Sequence, residues 1–183
     1  MCIRDSPYSA SKAAQEALSI AYWRTYSVPV VITNTMNVIG EWQDPEKFLP
    51  LAIKRITNGE PMTLFAEPDG KTTSRRVWLD AKNMAAALVH ICKNTSPAKY
   101  SEPQDKPSRY HIIGETELSV AELAEIVAKQ LDKPLLRKLI SGDEIRPGYD
   151  RRYALVDNNL KGTGFKSPFQ FSETIARITQ WAE

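Results

Sequence analysis

The chain has 183 residues, with 24 Lys and Arg against 22 Asp and Glu, a net charge of +2, and 42% hydrophobic residues. This is the composition of an ordinary globular domain, and the near balance of charge excludes a strongly basic nucleic-acid binder. Cys2 and Cys92 are too few for a disulfide framework, and no apolar run approaches a membrane span or a signal segment, so the expectation is a cytoplasmic protein with no membrane partner.

After Met1 to Ser6, apolar Ala14, Leu18, Ala21 and Tyr22 recur at three and four, which predicts a helix to about Tyr26 with Pro7 near its start. Val28 to Asn34 is a β-branched apolar run of the kind found in strands buried on both faces of a parallel sheet. Helix followed by buried strand is half of a βαβ unit. Thr35 to Pro50 reads as a loop at the carboxyl end of that strand, where open α/β sheets bind ligands. A short helix over Leu51 to Asn58 stops at Gly59, Thr63 to Ala66 and Val77 to Leu79 read as strands, and Asp69-Gly70 as the turn between them.

Asp80 or Asn83 can cap a helix through Met84, Leu88, Ile91 and Cys92. The proline-rich stretch from Thr95 to Ser108 is a surface connection, and Arg109 to Ile113 a strand ending at Gly114. Ser119 and Glu122 form a capping box for a helix carrying Leu123, Ile126, Val127 and Leu131. A strand over Leu135 to Leu139, a polar loop over Ser141 to Asp150 and a strand over Arg152 to Val156 follow. Asp157 caps a single turn closed by Gly162 or Gly164, and Ser172 caps the last helix.

Among chemistry-bearing residues, Tyr8 and Lys12 are four apart, on one face of the first helix. A neighbouring ammonium favours phenolate, which suits a general acid/base acting on an alcohol or carbonyl. Spacing alone favours a partly buried Tyr beside a solvated Lys. His90 and His111 have no companions at metal-ligand spacing, so they read as structural and no metal is expected. Arg75 and Arg76 are adjacent, so only one can face a cleft, whereas Arg146, Arg151 and Arg152 can form surface pairs with Asp143, Glu144 and Asp150. Tyr22, Trp23 and Tyr26 read as packing.

The run SPYSASKA at Ser6 to Ala13 with Glu16 resembles the active-site helix of the extended short-chain dehydrogenase/reductases, the nucleotide-sugar epimerases and dehydratases. TNTMNVIG at Thr33 to Gly40, PEKFLP at Pro45 to Pro50, SRRVWL at Ser74 to Leu79, RYHIIG at Arg109 to Gly114 and RPGYDRRYA at Arg146 to Ala154 resemble further family segments in the same order. Gly164-Phe165-Lys166 with Pro168 extends the likeness to the last helix, and the dehydratase form is the nearest. Val77, Tyr149 and Ile39 depart from the family's usual Asp, His and Tyr.

The resemblance implies an α/β fold, a partial Rossmann-like parallel sheet with an interleaved small substrate-binding region. Residues 7–35, 80–94 and 109–114 would belong mainly to the cofactor domain, and 36–79 and 115–183 mainly to the substrate-binding region. It implies Tyr8 as catalytic tyrosine and Lys12 as its partner, both also contacting NAD. Asn37, Lys47, Arg76, Arg146 and Tyr153 would contact a nucleotide-diphosphate sugar, a guanidinium fork suiting the diphosphate best.

The implied function is a nucleotide-sugar 4,6-dehydratase that oxidises C4 of a nucleotide-linked hexose with NAD and then eliminates water. The alternatives are a 4-epimerase of the same family and a non-catalytic nucleotide-sugar-binding or scaffold protein. Family members are about twice as long, and this sequence holds no Gly-x-Gly-x-x-Gly turn. The opening MCIRDS also departs from the family, so the resemblance implies a truncated or joined fragment that is itself inactive. The alanine-rich face of the first helix is compatible with a homodimer of the intact protein.

Overall fold

The computed structural model describes residues 6–101, 104–141 and 151–182. The chain opens with α1, Pro7–Tyr26, in which the Ser6 side chain accepts from the Ser9 N–H and Pro7 occupies the first turn, where no backbone donor is needed. Ser27 ends it in the left-handed conformation, and β1, Val31–Thr35, follows. The strand starts three residues after the Val28 expected from apolarity, because Pro29 has no N–H for a ladder.

Two short strands lie where the sequence predicts none, the first of them within the expected loop. β2, Asn37–Ile39, pairs in parallel with β4, Arg75–Asp80, and β6, Thr116–Ser119, pairs antiparallel with β4. Strands of three and four residues lack the length for visible alternation, and their pairing partner decides them. Between them come α2, Phe48–Thr57, β3, Met62–Ala66, α3, Ala81–Asn94, and β5, Ser108–Ile112. α2 begins three residues before the expected Leu51, with Pro50 accommodated in its first turn.

The expected capping box is present at α4, Val120–Gln130, where the Ser119 and Glu122 side chains bond each other's backbone N–H. β7, Arg137–Ser141, pairs in parallel with β3, and β8, Arg152–Tyr153, with β4. Asp157 accepts from the Leu160 N–H to start the single turn α5, Asn159–Gly162. The last helix, α6, is Phe171–Ala182. Ser172 is not its cap, because the helix begins one residue earlier and Glu173 reaches back to the Gln170 N–H.

These elements bury two clusters. One gathers Ile39, Leu49, Ile53, Ile56, Met62, Leu64, Trp78, Leu123, Val127, Ile175 and Ile178 from α2, α4, α6 and β2 to β4. The other gathers Leu79, Ala87, Ile91, Ile112 and Leu160, with Val31, Val38, Tyr110 and Phe165 against it. Trp78 and Leu79 are adjacent on β4 and point to opposite sides, so this strand is the wall between the clusters. Gly114 touches that wall closely: a Cβ built there would stand 1.7 Å from the Trp78 carbonyl oxygen. Gly114→Ala is therefore expected to destabilise the fold by about 1–3 kcal/mol or more, read as a lower urea midpoint; an unchanged midpoint would show that the contact is not tight.

Candidate active site

The position of Tyr8 follows from how α1 lies on the β1–β5 pair. Trp23 near the end of α1 donates from Nε1 to the Ala98 carbonyl at 2.6 Å, and the Ala98 N–H donates to Ser108 Oγ at the start of β5. Midway, Glu16 pairs with Arg109 of β5. From Glu16 back to Tyr8 the helix spans about 12 Å, and from Arg109 to Ile112 the strand spans about 10 Å. The first turn of α1 therefore reaches the carboxyl end of β1 and β5, where the Met36 N–H bonds the Ile112 carbonyl and Asn37 follows.

There Tyr8 is 72% exposed, and Lys12 Nζ stands 5.8 Å from its ring centroid and 3.4 Å from Gln15 Oε1. The phenol and the ammonium share one open helix face.

The expected substrate-side residues gather on one strand face. In parallel register Asn37 lies opposite Trp78, and Tyr153 opposite Arg76. Residues in register point to the same side, as do Arg76 and Trp78 two apart on β4, so Asn37, Arg76 and Tyr153 share the Trp78 face. Phe48 stacks on Trp78 with centroids 6.0 Å apart, which brings the preceding Lys47 to the same side. Arg76 donates from Nη1 to the Arg75 carbonyl. Arg146 and Tyr149 lie outside the described residues.

Arg75, Arg151 and Arg152 are engaged in ion pairs, while the expected acids Asp143, Glu144 and Asp150 lie outside the described residues. Arg151 meets Glu67 at 2.9 Å, and Arg152 holds Glu117 through two bonds of 2.7 and 2.8 Å. Arg75 meets Glu117 and Glu122. Glu67 follows β3, Glu117 lies on β6 and Glu122 on α4, placements that sequence proximity cannot reveal. Arg152 first, and Arg75 with it, hold the Glu117 carboxyl below the usual range against the opposing effect of burial. His90 bonds the Thr163 hydroxyl and His111 the Val156 carbonyl.

One polar cluster at this site has no clear sequence signal. Asp80 accepts from the Lys82 N–H, from Thr174 Oγ1 and from Arg177 Nη2 at 2.6 Å, and it is buried. Arg177 also donates from Nε to Glu41 at 2.7 Å, and Lys82 Nζ reaches Glu41 at 2.9 Å. The cluster joins the ends of β2 and β4 to α6. The capping role of Asp80 is legible from its place before an apolar helix, but its ion pair spans 97 residues.

The sequence profile of the NAD dependent epimerase/dehydratase family matches residues 3–102. The chain belongs to this family. It is 33% identical over 185 residues to a dTDP-glucose 4,6-dehydratase of Xanthomonas campestris pv. campestris, covering 97% of this chain and 49% of that protein. The dTDP-glucose 4,6-dehydratase 1 of Escherichia coli K12 is 30% identical, with 96% and 47% covered. A Streptomyces venezuelae dTDP-glucose 4,6-dehydratase with NAD and TYD bound superposes with a TM-score of 0.81 at 27% identity, over 97% of this chain and 51% of the other. A Thermus thermophilus UDP-glucose 4-epimerase in complex with NAD shares the fold at a TM-score of 0.82 and 24% identity. The chain thus spans about half the length of the relatives it matches. The α/β fold expected from the sequence is the observed one, with parallel strands matching the NAD-bound dehydratase. Among the described residues no helix is long and apolar enough to cross a membrane, and no cluster of His, Cys, Asp or Glu suits a metal ion.

Glu41 gives the cluster a pH signature. Its carboxyl is lowered to about 2, chiefly by the Lys82 hydrogen bond and further by its backbone and Arg177, against the opposing effect of burial. A carboxylate depressed in the folded state stabilises fully above its ordinary range near 4.5 and loses that contribution as pH falls toward about 2. Glu41→Gln should therefore flatten the acid side of a stability-against-pH curve between those values; a curve parallel to the parent's would count against the clamp.

Proposed function

We propose that this chain supplies the tyrosine–lysine pair and the nucleotide-sugar side of a nucleotide-sugar 4,6-dehydratase of the dTDP-glucose type. The observation that carries the reading is the convergence at one end of the strands: Tyr8 and Lys12 on an open helix turn, with Asn37, Lys47, Arg76 and Tyr153 gathered on the Trp78 face of β4. Identity to dehydratases along nearly the whole chain supports that reaction over the 4-epimerase alternative. The exposed Tyr8–Lys12 pair supports an enzyme over a mere binder or scaffold.

The residues present fit NAD on its nicotinamide side. Lys12 projects a cation whose one side-chain acceptor among the described residues is Gln15 Oε1 at 3.4 Å, leaving donors for a ribose hydroxyl, and Tyr8 stands one turn away. NAD, when bound, supplies the acceptor for the hydrogen lost from C4 of the hexose. Tyr8 takes the C4 hydroxyl proton at its phenolic oxygen, and Lys12 stabilises the phenolate that makes this possible. Arg76 and Lys47 offset the diphosphate charge, the arginine through its planar fork, while Asn37 and Tyr153 orient the sugar by hydrogen bonds. In this reading residues 7–35, 80–94 and 109–114 lie mainly on the cofactor side, and 36–79 and 115–183 mainly on the sugar side. Arg146, beyond the described residues, is assigned to the diphosphate on the family pattern alone.

In protein of the relatives' length, Tyr8→Phe should lower kcat for C4 oxidation by about 10²-fold or more, with little change in nucleotide-sugar affinity. Retained turnover would sink the assignment. Arg76→Met should instead weaken dTDP binding by about tenfold while sparing the Tyr8 chemistry, measured by calorimetry. The 183-residue chain alone should show no turnover, because positioned groups contribute only when the whole constellation is assembled.

A further inference from the structure

Residues 40–47 run from the end of β2 to the start of α2, and successive residues of this turn are fixed by different contacts. A Cβ at Gly40 would stand 2.8 Å from the Ala81 Cβ, so the turn begins hard against the start of α3. Glu41 accepts from Arg177 Nε at 2.7 Å and from Lys82 Nζ at 2.9 Å, and its side chain is 15% exposed. Trp42 meets Trp181 with ring centroids 5.3 Å apart. Arg177 and Trp181 are one turn apart on α6, so a single face of that helix grips two consecutive residues of the turn.

Trp42 has a left-handed backbone, φ 65°, which a bulky L-residue adopts only where its surroundings impose it. Its ring is exposed, so burial does not compensate for this conformation. Beyond it, Gln43 donates to the Val38 carbonyl at 3.0 Å and turns the chain back over β2. Asp44 accepts from the N–H groups of Glu46 and Lys47, and the Lys47 carbonyl accepts from the Leu51 N–H as α2 begins. The backbone of Lys47 is thus bonded on both sides, while its ammonium is exposed and has no partner among the described residues.

The frame holds Lys47 in place and leaves its charge available. It is also tied to β4. Arg177 donates from Nη2 to the buried Asp80 at 2.6 Å, and Arg76, Trp78 and Asp80 alternate along one face of that strand. One guanidinium therefore bonds both the turn that presents Lys47 and the strand that presents Arg76.

We propose that Arg177 is a positioning residue for the nucleotide diphosphate: by bonding Glu41 and Asp80 at once, it sets the spacing between Lys47 on the turn and Arg76 on β4. This rests on the diphosphate role given to those two cations under Proposed function. A diphosphate carries its charge on two linked phosphoryl groups, so cations from separate elements serve it only at a matching separation. Arg177 acts through the two cations and has no part in the proton transfer at Tyr8.

The test uses the 183-residue chain with dTDP as the probe, its affinity read by calorimetry. Glu41→Ala cuts the tie to the turn and keeps the Arg177–Asp80 bond; it should weaken dTDP binding by about tenfold. Charge alone would act in the other direction, since losing an acid favours an anion. In a Lys47→Met background the same Glu41→Ala should change affinity by less than about twofold, because no cation is left for the turn to place. Arg177→Met should reproduce Glu41→Ala. It strips the buried Asp80 of its cation, so a urea melt first establishes that it folds, and Glu41→Ala carries the test where it does not. Unchanged affinity in Glu41→Ala, or an equal loss with and without Lys47, would overturn the inference. Absence of dTDP binding by the unaltered chain at about 1 mM, or full affinity in both Lys47→Met and Arg76→Met, would instead remove the diphosphate reading and the inference with it.

Discussion

Side-chain alternation along Arg75–Asp80 is the constraint on which the rest of this structure depends. Trp78 points into one hydrophobic cluster and Leu79 into the other, so a single strand closes both. β2 takes its register from this strand, and with it the position of Asn37; β8 does the same for Tyr153. A shift of β4 by one residue would exchange the two faces, placing Leu79 where Phe48 now stacks and Val77 where Arg76 now stands. Gly114 belongs to the same arrangement, because the chain leaving β5 must pass against the Trp78 carbonyl, where a side chain has no room.

The polar cluster beyond the end of β4 complements this packing. Asp80 would be costly to bury alone, and three donors offset that cost: the Lys82 N–H at the helix start, the Thr174 hydroxyl and the Arg177 guanidinium. Because Arg177 also holds Glu41, α6 is bonded to the carboxyl ends of both β2 and β4. Asn37 on β2 and Lys47 in the following loop, both proposed here to contact substrate, thus rest on a helix distant in sequence. Asn83 adds a second tie of this kind, exchanging two hydrogen bonds with the backbone of Phe169.

The long periodic elements were legible in the sequence. Apolar spacing located α1, α3 and α4, and the Ser119–Glu122 pair located a helix start whose bonds are all local. The Tyr8–Lys12 pair was legible for the same reason, since four residues on a helix always share a face. Less accessible were β2 and β6, too short to carry a period, and the start of α6, where Glu173 competes with Ser172 for the capping role. Equally illegible were the acids Glu67 and Glu117 that meet Arg151 and Arg152, because they lie on segments far along the chain.

The sequence by itself determined the local chemistry: helix caps, the Tyr8–Lys12 spacing and the ordered motifs of the NAD dependent epimerase/dehydratase family. These depend on neighbours within a turn of helix or a few residues of strand, so the residue string contains all the information they need. Only the tertiary structure decided which strands share β4, which side of the site holds Asn37, Arg76 and Tyr153, and that Asp80 and Arg177 meet across 97 residues. Those outcomes depend on strand register and on where a buried charge finds its counterion, and both are set by the packing of the folded chain as a whole.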